Sequence, residues 1–186
     1  MTAERRERIL ARTKELGALT YGDFTLSSGE KSTYYFDGRL LSLDPEGASL
    51  LGPEFLQVAI DSGAEAIGGL TLGADPIVGA VVLASGLAGS PITGFLVRGE
   101  AKGHGTGRQI EGGLPQDARV VIIEDSITSG GSALKAIEAM APPAPRATST
   151  MGSAQQIVPR SVRLAAAATL AFSPAPSIKK SVRYRC

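Results

Sequence analysis

Soft and sulfur-bearing side chains are nearly missing: the 186 residues include one cysteine, one histidine and no tryptophan. The cysteine is the last residue, Cys186, so no internal disulfide can form and no clustered Cys and His spacing marks a metal site. There is no apolar run of about 18 residues, the length a membrane-spanning helix needs. The chain opens on the charged stretch AERRERILARTKEL rather than on a signal peptide. A soluble, cytoplasmic protein with no membrane partner is expected. Acids are missing from one end as well. Residues 141–186 hold seven Arg or Lys and no Asp or Glu; taking those seven from the 19 in the chain leaves 12 bases against 18 acids over residues 1–140. The formal charge of +1 therefore conceals a net of −6 in the first 140 residues, which argues against nucleic acid as a partner.

A chain of this length can bury one sizeable core. Ile9, Leu10 and Leu16 sit among charges at nearly helical spacing, predicting an amphipathic helix over residues 3–16 that ends at Gly17. Residues 21–38 differ: Phe24 and Leu26 alternate with polar neighbours, Ser28-Gly29 marks a turn, and Tyr34, Tyr35 and Phe36 favour a strand, so a β-hairpin is expected. A helix follows Pro45, then a strand at 66–70, a loop TLGADP, an apolar helix at 76–88 and a strand at 92–97. Such alternation predicts a parallel α/β sheet with crossover helices.

The most informative stretch is RVVIIEDSITSGGS, residues 119–132. Val120 to Ile123 form a β-branched run suited to a strand buried on both faces. Glu124 and Asp125 then emerge at the strand's carboxyl end, where ligands of open α/β sheets bind. A small, hydroxyl-rich loop follows, and ALKAIEAM reads as the helix after it. Backbone N–H groups, hydroxyls and the positive end of a helix would hold a phosphate there, and the carboxylates suit the hydroxyls of a ribose. A plain strand-to-helix turn that uses glycine for backbone freedom is the alternative, and it needs no acid pair.

Between the strands at 92 and 120 lie some twenty residues, RGEAKGHGTGRQIEGGLPQDA, with six glycines and no apolar periodicity. Loops of this length inside a compact domain are usually functional or disordered. Arg98, Lys102, His104 and Arg108 can all meet anionic oxygens, so the segment reads as a lid hinged on its glycines, the alternative being a solvated polar excursion. His104 lies between Gly103 and Gly105, no place for a core histidine.

The strand, acid pair and Thr/Ser-Gly-Gly loop resemble the diphosphoribosyl-binding motif of type I phosphoribosyltransferases. Together, FTLSSGEKSTYYFD (24–37), GGLTLGADPIVGAV (68–81), FLVRGEAKGHGTGRQIEG (95–112) and VVIIEDSITSGGSA (120–133) resemble, in order and spacing, the orotate phosphoribosyltransferases. The resemblance covers roughly residues 3–140, which it implies form the phosphoribosyltransferase domain. It implies the type I α/β fold, a central parallel sheet flanked by helices with a small N-terminal β-hairpin hood. It further implies transfer of ribose 5-phosphate from 5-phosphoribosyl 1-diphosphate to orotate, giving orotidine 5′-monophosphate and diphosphate in pyrimidine synthesis. Magnesium is the implied ion, carried mainly by the diphosphate and ribose oxygens rather than by a protein metal site. By position, Arg98, Lys102 and His104 would contact the diphosphate and Glu124 and Asp125 the ribose hydroxyls. Ser126, Ile127, Thr128, Ser129, Gly130, Gly131 and Ser132 would form the 5′-phosphate loop. Thr128 would also touch orotate, with Tyr35 and Phe36 covering its ring, and Lys102, His104 and Asp125 would be the catalytic groups. A homodimer with the lid shared between subunits is implied as well.

Three departures stand against this pattern. Gly99 replaces a basic residue often found after the lid arginine, and Ser27 replaces a lysine, leaving Lys31 as the nearest cation. The third is residues 141–186, where ten alanines, six prolines and nine Ser or Thr replace the family's next strand and the arginine beyond it that pairs with the orotate carboxylate. The prolines break regular structure and the composition is biased, so this segment is expected to be disordered, a divergent terminus or the product of a shifted reading frame. Within it only VRLAAAATLAF, 162–172, suits a helix or strand, the sheet lacks an expected edge partner, and Arg160 and Arg163 are the nearest arginines. Two rival functions remain on the same fold: a purine-type phosphoribosyltransferase, and a non-catalytic regulator that binds phosphoribosyl diphosphate.

Overall fold

The computed structural model describes residues 1–25, 29, 31–100, 109–127 and 130–140, and the backbone of 161–166. Helix α1, Ala3–Glu15, starts where the Thr2 hydroxyl accepts from the Arg5 N–H at 3.3 Å and ends before Gly17, whose φ of 64° suits a residue without Cβ. Strands β1, Leu19–Thr25, and β2, Lys31–Phe36, pair antiparallel as the expected hairpin, with Tyr35 opposite Thr20 and Phe36 opposite Leu19. Directly after β2 comes α2, Gly38–Ser42, a five-residue helix that the sequence reading did not anticipate. Asp37 caps it, and a single turn carries no apolar period to reveal it.

From there the expected alternation holds. Helix α3, Pro45–Asp61, leads to β3, Ala66–Leu70, and α4, Asp75–Leu87, leads to β4, Thr93–Val97. Strand β6, Arg119–Glu124, leads to α5, Gly131–Met140. Two strands complete the sheet: β5, Ile110–Gly112, antiparallel to β4, and β7, Ser161–Ala166, parallel to β6. The order is β5-β4-β3-β6-β7. The sheet is therefore parallel except at β5, which occupies part of the segment read as loop. Strand β7 supplies the edge partner that the composition after residue 140 did not promise.

Both faces of the sheet are covered, as the β-branched run of β6 requires. Val121 and Ile123 pack with Phe55, Leu51, Ile77 and Ile9 beneath α1, α3 and α4, whereas Val120 and Ile122 pack with Phe95, Val97, Ala136 and Met140 beneath α5. Parallel strands buried this way bring their carboxyl ends to one edge. Val97, Leu70 and Glu124 end there, so Arg98, Thr71 and Asp125 emerge side by side. The Thr71 N–H donates to the Val97 carbonyl at 2.9 Å and continues the pairing by one residue.

Glycine in β3 permits this close packing. A Cβ at Gly69 would overlap the Ile123 carbonyl and lie 2.6 Å from the Ala74 Cβ. Gly79 in α4 faces open space instead. The same chemical change should thus have opposite signs: Gly69→Ala is expected to cost about 1–3 kcal/mol through overpacking, and Gly79→Ala to add about 0.5–1 kcal/mol through helix propensity. Urea denaturation of the two variants, read against the parent, checks both.

Candidate functional site

Three elements meet at the carboxyl edge of the sheet. The hairpin end supplies Tyr35, Phe36, Asp37 and Arg39; the turn between β3 and α4 supplies Leu72 and Gly73; the end of β6 supplies Asp125 and Ser126. They enclose a cleft of about 280 Å³. Two glycines allow the meeting. A Cβ on Gly38 would lie 2.7 Å from the Asp125 carbonyl oxygen, and one on Gly73 would lie 2.5 Å from Asp125 Oδ1. The hood thus approaches the Asp125 backbone more closely than a side chain would permit, and a side chain on the turn would displace the Asp125 carboxylate. The peptide bond between Thr71 and Leu72 in the turn is cis.

The adjacent acids have different surroundings. Asp125 faces the cleft half-buried, and its Oδ1 accepts from the Ser126 N–H at 2.8 Å. Burial raises its carboxyl above the ordinary range, against the pull of that N–H and of the Arg39 charge. Glu124 is only 6 % exposed and turns toward the start of α5, where the Ser132 hydroxyl and the Ala133 N–H interact with it. Burial pushes its carboxyl up to about 7, the neighbouring Asp125 adds to the rise, and Ser132 and Ala133 act against it. Its Oε1 is buried and has no hydrogen-bond partner among the described residues.

Arg39 is exposed and held by Asp37, with Nε to Oδ1 at 2.9 Å and Nη2 to Oδ2 at 3.0 Å. That pair keeps the Asp37 carboxyl below the ordinary range. Tyr35 stacks obliquely on Phe24, with ring centroids 5.7 Å apart, which fixes the inner wall of the hood. Lys31 lies on the hairpin away from this cleft, its Nζ donating to Thr25 Oγ1 at 2.8 Å.

Of the residues singled out in the sequence, Tyr35, Phe36, Asp125 and Ser126 come together in the cleft. Glu124 and Ser132 meet behind it, Ile127 is half-buried, and Gly130, at φ 78°, precedes the helix that Gly131 begins. Arg98 stands at the same sheet edge after β4, but its Nε reaches Glu111 Oε1 at 3.0 Å rather than the cleft. Its N–H donates to the Gln109 carbonyl at 2.8 Å, and its own carbonyl accepts from Gln109 Nε2 at 3.0 Å, so both ends of the glycine-rich segment are tied together. Lys102, His104, Arg108, Thr128 and Ser129 lie outside the described residues.

Asp37, Arg39, Leu72 and Gly73 were not singled out by sequence reasoning. The signal for the turn was present, since TLGADP follows a strand whose carboxyl end faces the same edge as β6. For Arg39 the only signal was Asp37, a residue able to cap a helix and, two positions back, to fix a guanidinium. Among the described residues no group of three or more Asp, Glu, His or Cys could hold a metal ion, and no helix is long and apolar enough to cross a membrane.

No protein-family model matches the chain. An orotate phosphoribosyltransferase of Rhodopirellula baltica is 48% identical over 132 residues, covering 68% of this chain and 68% of that protein. Four further orotate phosphoribosyltransferases match over 57 to 63% of their own length, so the chain spans about two thirds or less of these relatives. Among solved structures, the orotate phosphoribosyltransferase of Mycobacterium tuberculosis in complex with Fe(III) dicitrate superposes with a TM-score of 0.65 at 34% identity, covering 87% of this chain and 82% of that one. The same enzyme in complex with 5-phospho-alpha-D-ribosyl 1-diphosphate gives 0.60 at 29% identity, covering 87% and 81%. Identity and structural likeness of this extent, over a mixed sheet flanked by helices and an N-terminal hairpin, make the chain a member of the orotate phosphoribosyltransferase family, transferases of pyrimidine biosynthesis.

Proposed function

We propose that this chain moves the ribose 5-phosphate group of 5-phosphoribosyl 1-diphosphate onto N1 of orotate, breaking the bond from C1 to the diphosphate and forming the bond from C1 to nitrogen. The observation that carries this reading is Asp125, set between Gly38 and Gly73 in a cleft walled by Tyr35 and Phe36. A carboxylate suits ribose hydroxyls there, and aromatic faces suit a planar base. That a relative from M. tuberculosis was solved in complex with 5-phospho-alpha-D-ribosyl 1-diphosphate supports this compound as the sugar donor. Residues 126–132 would surround the 5′-phosphate, where the start of α5 favours an anion, and Thr128 would also reach orotate.

As the leaving diphosphate departs, the sugar gains positive charge and the diphosphate negative charge, so cations and exclusion of water accelerate the step. We assign Lys102 and His104 to the diphosphate. We assign Arg98 to the same anion; it stands at the same sheet edge, and its Nε would exchange Glu111 Oε1, 3.0 Å away, for the diphosphate. Magnesium fits beside the diphosphate, since Asp125 offers hard carboxylate oxygens on the cleft, whereas those of Asp37 are taken by Arg39. When bound through the diphosphate it would neutralise charge on that group. We further assign the chain to the cytoplasm and to a homodimer whose lid covers the partner's cleft. The exposed apolar face of α4, with Val82, Leu83 and Leu87, suits burial against a second copy.

The direct test follows orotate loss by absorbance with phosphoribosyl diphosphate and magnesium, with adenine and hypoxanthine as competitors. Turnover of orotate alone is expected, and turnover of a purine instead would reject the reading. In the same assay Lys102→Ala should lower kcat about 10²-fold or more, the scale of losing one transition-state charge stabiliser; an unchanged rate removes the lid from the mechanism. Glu124 gives a pH test. We assign its Oε1, which has no partner among the described residues, to a ribose hydroxyl reaching past Asp125; hydroxyls donate best to an ionised carboxylate, so kcat/KM for phosphoribosyl diphosphate should fall as pH drops through about 7, and Glu124→Gln should abolish that step. Stability has the opposite sign. The folded protein favours the protonated carboxyl, so this contribution is full below the ordinary value of 4.5 and is lost as pH rises through about 7. Denaturation midpoints at pH 5 and 8 should differ less in Glu124→Gln than in the parent.

A further inference from the structure

We propose that Arg39 recognises the carboxylate of the base substrate, an assignment that rests on the orotate reading above and extends it to a residue outside the sequence motifs. Among the described residues lining the cleft it is the one cation. Asp37 fixes its guanidinium along one edge only. Asp37 Oδ1 accepts from both the Arg39 N–H at 3.1 Å and Nε at 2.9 Å, and Oδ2 accepts from Nη2 at 3.0 Å. Asp37 is itself tied down, its N–H donating to the Ala18 carbonyl at 2.8 Å. Of the five guanidinium hydrogens, this leaves both on Nη1 and one on Nη2, and Nη1 makes no hydrogen bond among the described residues. A planar carboxylate can take that second edge through two parallel hydrogen bonds, a geometry for which arginine is preorganised.

The neighbours fit a flat, carboxylated ring. Tyr35 and Phe36 offer aromatic surface on one side of the cleft, and Leu72, 76 % exposed, offers an apolar surface that a bound ring would cover. The sugar's acid, Asp125, lines the same cleft and lies close enough for its charge to act on Arg39. An orotate joined to a ribose at Asp125 would thus have its carboxylate within the reach of one arginine. Within the described backbone of β7 the one arginine stands farther from this edge. Arg163 of β7 pairs in register with Val121, three residues short of the carboxyl edge where Glu124 pairs with Ala166.

A purely structural Arg39, holding Asp37 in an exposed pair, would contribute little to binding. The transferase assay separates the two roles through the KM for orotate, the KM for phosphoribosyl diphosphate and the inhibition constant of uracil, which lacks the carboxylate. In Arg39→Ala the orotate KM should rise about 10- to 100-fold, the scale for losing a hydrogen-bonded charge partner, with the other two constants within about twofold of the parent. Arg39→Lys should recover part of the loss. Arg39→Gln gives the same reading should the alanine variant fold poorly by circular dichroism. An unchanged orotate KM overturns the assignment, as does an equal rise in the KM for phosphoribosyl diphosphate or in the uracil constant. A parent chain inert with orotate overturns the functional reading and this one with it, whereas an active parent with an unaffected Arg39→Ala overturns only this one.

Discussion

Everything at the carboxyl edge depends on how closely two backbone segments approach Asp125. Gly38 brings the end of the hairpin onto its carbonyl at a separation that a Cβ would forbid, and Gly73 brings the turn after β3 onto its carboxylate, which a Cβ would push aside. Neither segment belongs to β6, yet both take their position from it. The strand is held from both faces by the two apolar clusters, so Asp125 is presented by a rigid element and the hood and turn close around it. A cleft formed this way contains aromatic, cationic and acidic groups drawn from three separate parts of the chain.

The acid pair shows how one strand end serves two purposes. Asp125 is turned to the cleft and shares its surroundings with Arg39, whereas Glu124 is turned inward to Ser132 and Ala133 at the start of α5. Burial of Glu124 opposes its ionisation and so opposes stability near neutral pH, a cost that natural proteins accept at sites where charge has work to perform. Its Oε1, which has no hydrogen-bond partner among the described residues, is consistent with a group whose hydrogen-bonding capacity is reserved for a ligand.

Much of this was legible in the sequence, for reasons tied to particular residues. Val120 to Ile123 announced a doubly buried strand because the core lies on both sides of it, and Tyr34 to Phe36 announced a hairpin because β-formers bracket Ser28-Gly29. The acids at 124 and 125 followed from the strand-end rule. Less visible was whatever depends on contact between distant segments. Asp37 and Arg39 sit in a helix too short to show a period, and their relation to Asp125 exists only once Gly38 has packed against it. Strand β5 has three residues, one of them glycine, within a polar stretch that reads as loop. Strand β7 falls largely within 162–172, which suits a helix or strand, but the alanine- and proline-bearing segment around it gave no sign of its pairing with β6. The apolar helix at 76–88 is present as read, but its composition did not tell which face is covered: Leu83 and Leu87 of α4 are exposed.

The cleft at Asp125 is the place proposed for the sugar diphosphate. A crystal structure of the chain with 5-phosphoribosyl 1-diphosphate and magnesium tests it most directly. Ribose hydroxyls are expected on the Asp125 side chain, with the C1 face open toward Tyr35, Phe36 and Arg39. Density for the ligand anywhere else, with the space between Gly38, Gly73 and Asp125 left to solvent, would contradict it.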